Sequence, residues 1–102
     1  MFTLNVAKLI LFAFNNKIEL TFGEAWRTDE QQAIYVENKQ TKVAHSKHQD
    51  RLAIDLNVFV GGVYKTDKES YKPLAEYWTS LHPSNRAGYF WGWDANHFEM
   101  NV

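Results

Sequence analysis

The chain contains no cysteine among its 102 residues. That excludes disulfides and any zinc site built on thiolates, so a metal here must be held by nitrogen and oxygen. Nor is there an excess of either charge: 11 basic residues against 12 acidic ones leave a formal net charge of −1. A nucleic-acid binder carries a basic face, so no nucleic-acid partner is expected. Long hydrophobic runs are missing as well. The most apolar stretch, Leu9 to Phe14 (LILFAF), is only six residues long. A membrane-spanning helix needs about 20 residues, and the hydrophobic region of a signal peptide about 7–15. Asn15, Asn16 and Lys17 follow the run, where a signal peptide would have a small-residue cleavage site. The expectation is a protein that is cytoplasmic as synthesised and has no membrane partner. There are no repeats, linkers or low-complexity segments, and this length suits a single domain over 1–102, read as a monomer.

The elements follow from periodicity and punctuation. Val6, Leu9, Ile10 and Ala13 recur at helical spacing, predicting a helix over 4–15. Leu11, Phe12 and Phe14 widen its apolar surface, so it is expected to be well buried. Ile18, Leu20 and Phe22 alternate with Glu19 and Thr21, predicting a strand over 18–26 that ends just before Arg27. Thr28 with Gln31 three residues later forms a capping-box pattern for a helix over 28–38. Asp29 and Glu30 in its first turn suit the helix dipole. A polar loop over 39–47 precedes the run Arg51–Val60, read as the central strand. Gly61-Gly62 is a hairpin signal, and Val63-Tyr64 starts the return strand. Tyr71, Leu74, Ala75 and Trp78 mark a helix over 67–81. Pro73 is tolerated only near a first turn, so the regular part should begin close to Tyr71. Residues 84–88 read as a loop, and 89–93 and 97–102 as short strands about an Asp94-Ala95-Asn96 turn. The result is an α+β fold: a small domain with an antiparallel sheet and about three helices.

Two clusters stand out for chemistry. AHSKHQDRLAIDL (44–56) holds Ser46, His48 and Asp55, and WGWDANHFE (91–99) holds Asp94, His97 and Glu99. A carboxylate at the centre of a buried strand is costly unless it is paired or bound to a metal. Asp55 therefore needs a partner, and the candidates are Arg51, Lys47 and a metal ion. Imidazole and carboxylate are both zinc ligands, and a catalytic zinc takes three protein ligands plus water. Of the four histidines, His97 is the best third ligand. His45 lies in the polar loop and suits a substrate-contacting or supporting role. His82 ends a helix. His97 and Glu99 share one face of a strand, so Glu99 is either a rival base or a partner that holds a ligand. Trp91 and Trp93 suit the walls of a cleft or the core about equally.

SKHQDRLAID resembles the S-x-H-x6-D signature of the M15 family of zinc peptidases, and WDANHFE looks like the second signature of that family. The family includes D-alanyl-D-alanine dipeptidases and carboxypeptidases and phage L-alanyl-D-glutamate endolysins. The resemblance spans about 22–99. It implies a zinc site on the sheet, with His48, Asp55 and His97 as ligands and Asp94 as the catalytic acid/base. It also implies Ser46 as a substrate-contacting or site-supporting residue; Trp93, from its place in the second cluster, is a further candidate for substrate contact. Arg27 matches the arginine of an R-x-x-x-Q segment near the substrate carbonyl, and without the resemblance would read as a surface arginine paired with Asp29 or Glu30. Many members have Gly where this chain has Arg51, and some use Glu where it has Asp94. The implied cofactor is Zn²⁺ and the implied substrate a peptidoglycan stem peptide, cut as an L-Ala–D-Glu endopeptidase or a D,D-carboxypeptidase. Without an export signal, such an enzyme would reach the wall through phage-mediated release. The alternative class is a catalytically inactive zinc-containing binding module of hedgehog-like fold.

Overall fold

The computed structural model of the protein describes residues 1–37 and 47–101. Helix α1 (Phe2–Asn15) leads into strand β1 (Glu19–Phe22) and helix α2 (Asp29–Glu37). Then come β2 (Ala53–Val60), β3 (Val63–Lys65), a 3-10 turn (Lys68–Tyr71), α3 (Lys72–Leu81), β4 (Asn85–Ala87), a second 3-10 turn (Gly88–Trp91) and β5 (His97–Met100). The result is an α+β fold with an antiparallel sheet in the order β1-β2-β5-β4, and β3 pairs with β2 beyond the end of β5. Among the described residues no helix is long and apolar enough to cross a membrane.

Strand β2 organises the sheet because its side chains alternate. Ile54, Leu56 and Val58 are buried in the core, while Asp55, Asn57 and Phe59 on the opposite face are only half-buried. A slip of one residue would exchange the two faces, so burial of the Ile54-Leu56-Val58 set pins Asp55 to the open face. The core is completed by Leu9, Leu74, Trp78 and Phe98, all fully buried. The Trp78 indole donates to Glu99 O at 3.0 Å and Arg86 O at 3.1 Å, fastening α3 across β4 and β5.

Several expectations hold and several are corrected. Thr28 caps α2, its Oγ1 accepting from Gln31 N at 3.1 Å. Gly61 (φ 58°) and Gly62 (φ 80°) take the paired left-handed conformation that a two-residue hairpin requires. Pro73 sits in the first turn of α3, which begins at Lys72. Helix α1 is less buried than its composition suggests: Leu4, Leu11 and Phe14 are exposed, because only its Val6-Leu9-Ala13 face meets the core. The strand expected over 18–26 is shorter, and the one expected from Arg51 starts at Ala53. The loop expected over 84–88 contains β4, which the Asn85 amide anchors by donating to Trp78 O at 2.9 Å. The strand expected over 89–93 is instead the second 3-10 turn, closed by Gly92 at φ 89°. The loop over 39–46, with His45 and Ser46, and the end of α2 at Asn38 lie outside the described residues, as does Val102 at the end of the expected last strand.

Candidate metal centre

Register builds the centre. In the β2–β5 pairing Asp55 stands opposite His97, so both side chains rise from the same face of the sheet. His48 enters from the turn that precedes β2, and its backbone carbonyl accepts from Arg27 N at 3.2 Å. The result is a triangle of donor atoms. His48 Nε2 lies 3.3 Å from Asp55 Oδ1, His97 Nδ1 lies 3.4 Å from the same oxygen, and the two nitrogens are 3.2 Å apart. Ligands at about 2.0–2.1 Å from a tetrahedral zinc are separated by about 3.3–3.4 Å. The triangle has the size such an ion requires.

The outer nitrogens set the tautomers. His48 Nδ1 faces Ala25 O at 3.4 Å, and His97 Nε2 faces Glu99 Oε1 at 2.8 Å. Each outer nitrogen therefore carries its proton toward an acceptor, and each inner nitrogen turns a lone pair toward Asp55. Asp55 Oδ1 is itself buried without a well-formed hydrogen bond. Three electron-rich atoms converging on one point need a cation among them. In the absence of metal, a proton can fill that place. Burial favours the neutral forms of both groups, but mutual attraction outweighs it. The His48 and His97 imidazoles hold the Asp55 carboxyl at about 2. The Asp55, Glu99 and Asp94 carboxylates raise His97 to about 9. Metal uptake must expel that proton. Apparent affinity is therefore expected to fall by about tenfold per pH unit below about 9, which metal titrations at several pH values will check.

Asp94 lies beside the triangle, its Oδ2 3.7 Å from His97 Nδ1. Burial pushes its carboxyl above the ordinary value and the charge of Asp55 adds to this, while His97, His48 and Arg27 pull the other way. The buried carboxyl therefore holds a proton more readily than an exposed aspartate does. Arg27 is not the surface residue that its neighbours Asp29 and Glu30 might suggest. Its side chain is 11% exposed; Nε is bonded to Glu24 and Nη1 donates to Gln32 Oε1 at 2.6 Å. Asp29 instead accepts from the Gln49 amide at 2.6 Å. Glu24 also joins the arginine to the metal triangle, because its carbonyl accepts from Asp55 N at 2.8 Å. The other partners considered for Asp55 lie elsewhere: Lys47 reaches Asp50 at 3.9 Å, and the Arg51 guanidinium covers Trp26 at 4.5 Å. Arg51 has φ 60°, a left-handed conformation that glycine adopts without the strain of a side chain.

Trp91 packs on His97 with ring centroids 5.3 Å apart, and Trp93 lies 5.9 Å beyond Trp91. Both tryptophans are at least partly exposed, so they border the centre and are not part of the core. Two residues support the centre: Glu99, which shares a strand face with His97 as expected, and Gly88, which carries no signal in the sequence. Glu99 bridges His97 to Arg86, whose Nε is 3.5 Å from its second oxygen. Glu99→Ala is expected to weaken metal affinity by about 10–100-fold with the fold retained, as read by competition with a chromogenic chelator. Gly88 abuts the Asp94 backbone, and a Cβ there would sit 1.9 Å from Asp94 O. That carbonyl accepts from His97 N at 3.0 Å. Gly88→Ala must therefore displace both residues. A stability loss of about 1–3 kcal/mol and a drop in metal affinity are expected, read by thermal melting and metal titration.

No protein-family model matches the chain, and no curated protein matches it by sequence. Among solved structures, the fold is similar to the crystal structure of the L-Ala D-Glu endopeptidase ChiX of Serratia marcescens. The TM-score is 0.76 at 18% identity, covering 95% of this chain and 78% of that one. At this identity the similarity establishes the fold, and the site must be argued from its own atoms.

Proposed function

We propose that the protein is a zinc-dependent peptidase of peptidoglycan stem peptides, acting as an L-Ala–D-Glu endopeptidase. One observation carries the reading: three facing donor atoms, 3.2 to 3.4 Å apart, on a fold similar to that of a protein with this activity. His48, Asp55 and His97 would hold the metal. Zinc held there would supply a bound water with a pKa of about 7 and a Lewis acid for the scissile carbonyl. Asp94 accepts the proton of the attacking water and returns it to the leaving amine. Arg27, held by Glu24 and Gln32, offers its guanidinium to the oxygen on which negative charge develops. Trp91 and Trp93 wall the approach and limit water. Ser46 is assigned to substrate contact on the strength of the S-x-H motif. Action on the wall after phage-mediated release belongs to the same reading.

The test is mass spectrometry of purified peptidoglycan after incubation with the protein, with chelator and with zinc restored. Chelator-sensitive products with a new D-Glu amino terminus are expected. Loss of a terminal D-Ala instead would reassign the enzyme as a D,D-carboxypeptidase. Absence of any product from zinc-loaded protein would overturn the peptidase reading in favour of a metal-containing binding module.

A further inference from the structure

Beyond the metal centre, the sheet has a break. Strand β5 pairs with β2 only as far as Asp55, and β3 pairs with the strand again only from Val58. The Tyr71 hydroxyl bridges the gap, accepting from Val58 N at 3.3 Å and donating to Lys65 O at 3.0 Å. Over this break opens a pocket of about 320 Å³, lined by Tyr64, Thr66, Lys68, Trp93 and Asn96 among others. Its lining combines the aromatic rings of Tyr64, Tyr71 and Trp93 with the Thr66 hydroxyl, the Asn96 amide and the Lys68 ammonium. Trp93 is 61% exposed, and its indole is held in place by Trp91. Lys68 is likewise steadied, with its ammonium 4.9 Å from the Tyr89 ring centroid.

We infer that this pocket is a saccharide subsite that takes the N-acetylated amino sugar to which the stem peptide is attached. The inference rests on the proposed stem-peptide activity and extends it to the glycan. A pyranose presents one face of C–H groups, slightly positive, that suits the negative face of an indole. Its hydroxyl and acetamido groups need donors and acceptors at the rim, and Tyr64, Thr66, Lys68 and Asn96 supply both. The pocket is within the size range of small-ligand sites, about 300–1,000 Å³. Distance supports the assignment. The stem joins the sugar through a lactyl group, so the L-Ala–D-Glu bond lies about two residue lengths, on the order of 7 Å, from the sugar ring. Trp91 lies with its ring centroid 5.3 Å from that of His97 and 5.9 Å from that of Trp93, so the pocket wall is joined to the metal centre through one intervening ring.

The subsite is tested in two arms. In the first, full-length protein without metal is titrated with N-acetylmuramyl-L-alanine, and the indole N–H resonances are followed by NMR. A saturable shift of the Trp93 resonance, lost in Trp93→Ala and kept in Trp26→Phe, is expected. No shift of Trp93 overturns the subsite whether or not the protein is a peptidase. In the second, zinc-loaded protein is given the free stem peptide and the same stem on N-acetylmuramic acid. The sugar-bearing substrate is expected to have a kcat/KM at least tenfold higher, with the gain largely in KM. That ratio should fall toward one in Trp93→Ala and decrease in Lys68→Ala. Equal cleavage of both substrates overturns the inference and leaves the peptidase reading standing. If neither substrate is cut, the peptidase reading fails, and the titration alone decides the subsite.

Discussion

Asp94→Asn is expected to lower kcat by about 10²–10⁴-fold while the protein keeps its full complement of zinc. Asp94 stands 3.7 Å from the His97 nitrogen that faces the triangle, close enough to act on a water held there. The three donor atoms of the triangle all belong to other residues. Asparagine keeps the volume of the side chain and leaves the Asp94 backbone carbonyl free to accept from His97 N. What it removes is the ability to carry a proton, which a burial-raised carboxyl is suited to do. KM should change little, because the lost interaction belongs to the transition state. Metal content by atomic emission and steady-state kinetics together check this. If zinc disappears along with activity, Asp94 is a ligand or a structural support and the assigned base is wrong.

Asp55→Ala is expected to abolish activity and to weaken metal affinity by more than the roughly 10–100-fold associated with an outer partner such as Glu99. It removes one corner of the triangle and the carboxylate that faces both imidazoles. The same substitution has a signature in the metal-free protein. Asp55 is held at about 2 against an ordinary value of 3.8, so its ionised form stabilises the fold. A depressed folded-state pKa gives stability that is present above the unfolded value and lost as pH falls toward the folded one. The wild type should therefore exceed Asp55→Ala in metal-free stability above about pH 4, and the difference should shrink between about 4 and 2 and again as His97 loses its proton toward about 9. Denaturant melts at stepped pH check this. A difference that does not depend on pH would mean that Asp55 acts through packing alone.

Much of the architecture follows from local pattern. The Ile54-Leu56-Val58 alternation, the paired glycines at 61 and 62, the Thr28 cap and the Tyr71-Leu74-Ala75-Trp78 spacing each specify an element through nearest-neighbour physics. Those elements sit close to where the pattern puts them. The misreadings share a cause. Asn85–Ala87 has no strand propensity of its own and becomes β4 because β5 and Trp78 offer it partners. The run after Gly88 is aromatic enough to look extended, yet packing against the Asp94 backbone curls it into a 3-10 turn. Helix α1 looked apolar all round, but the core has room for only one of its faces.

For the site, the sequence alone determined which residue types and spacings were available. Without cysteine, any metal must take imidazole and carboxylate, and the spacing of His48, Asp55, Asp94 and His97 marks the candidates. A carboxylate inside an apolar strand demands a cation whatever the fold, so this much can be read without coordinates. Tertiary structure alone decided that the β2–β5 register sets Asp55 against His97 and that His48 reaches them across the turn. It decided that the Ala25 carbonyl fixes the His48 tautomer, and that Glu24 links Arg27 to the backbone of Asp55. These are contacts between residues distant in the chain, or between a side chain and a backbone atom. Their distances depend on how sheet and helices pack against each other, and no local pattern of residues encodes that.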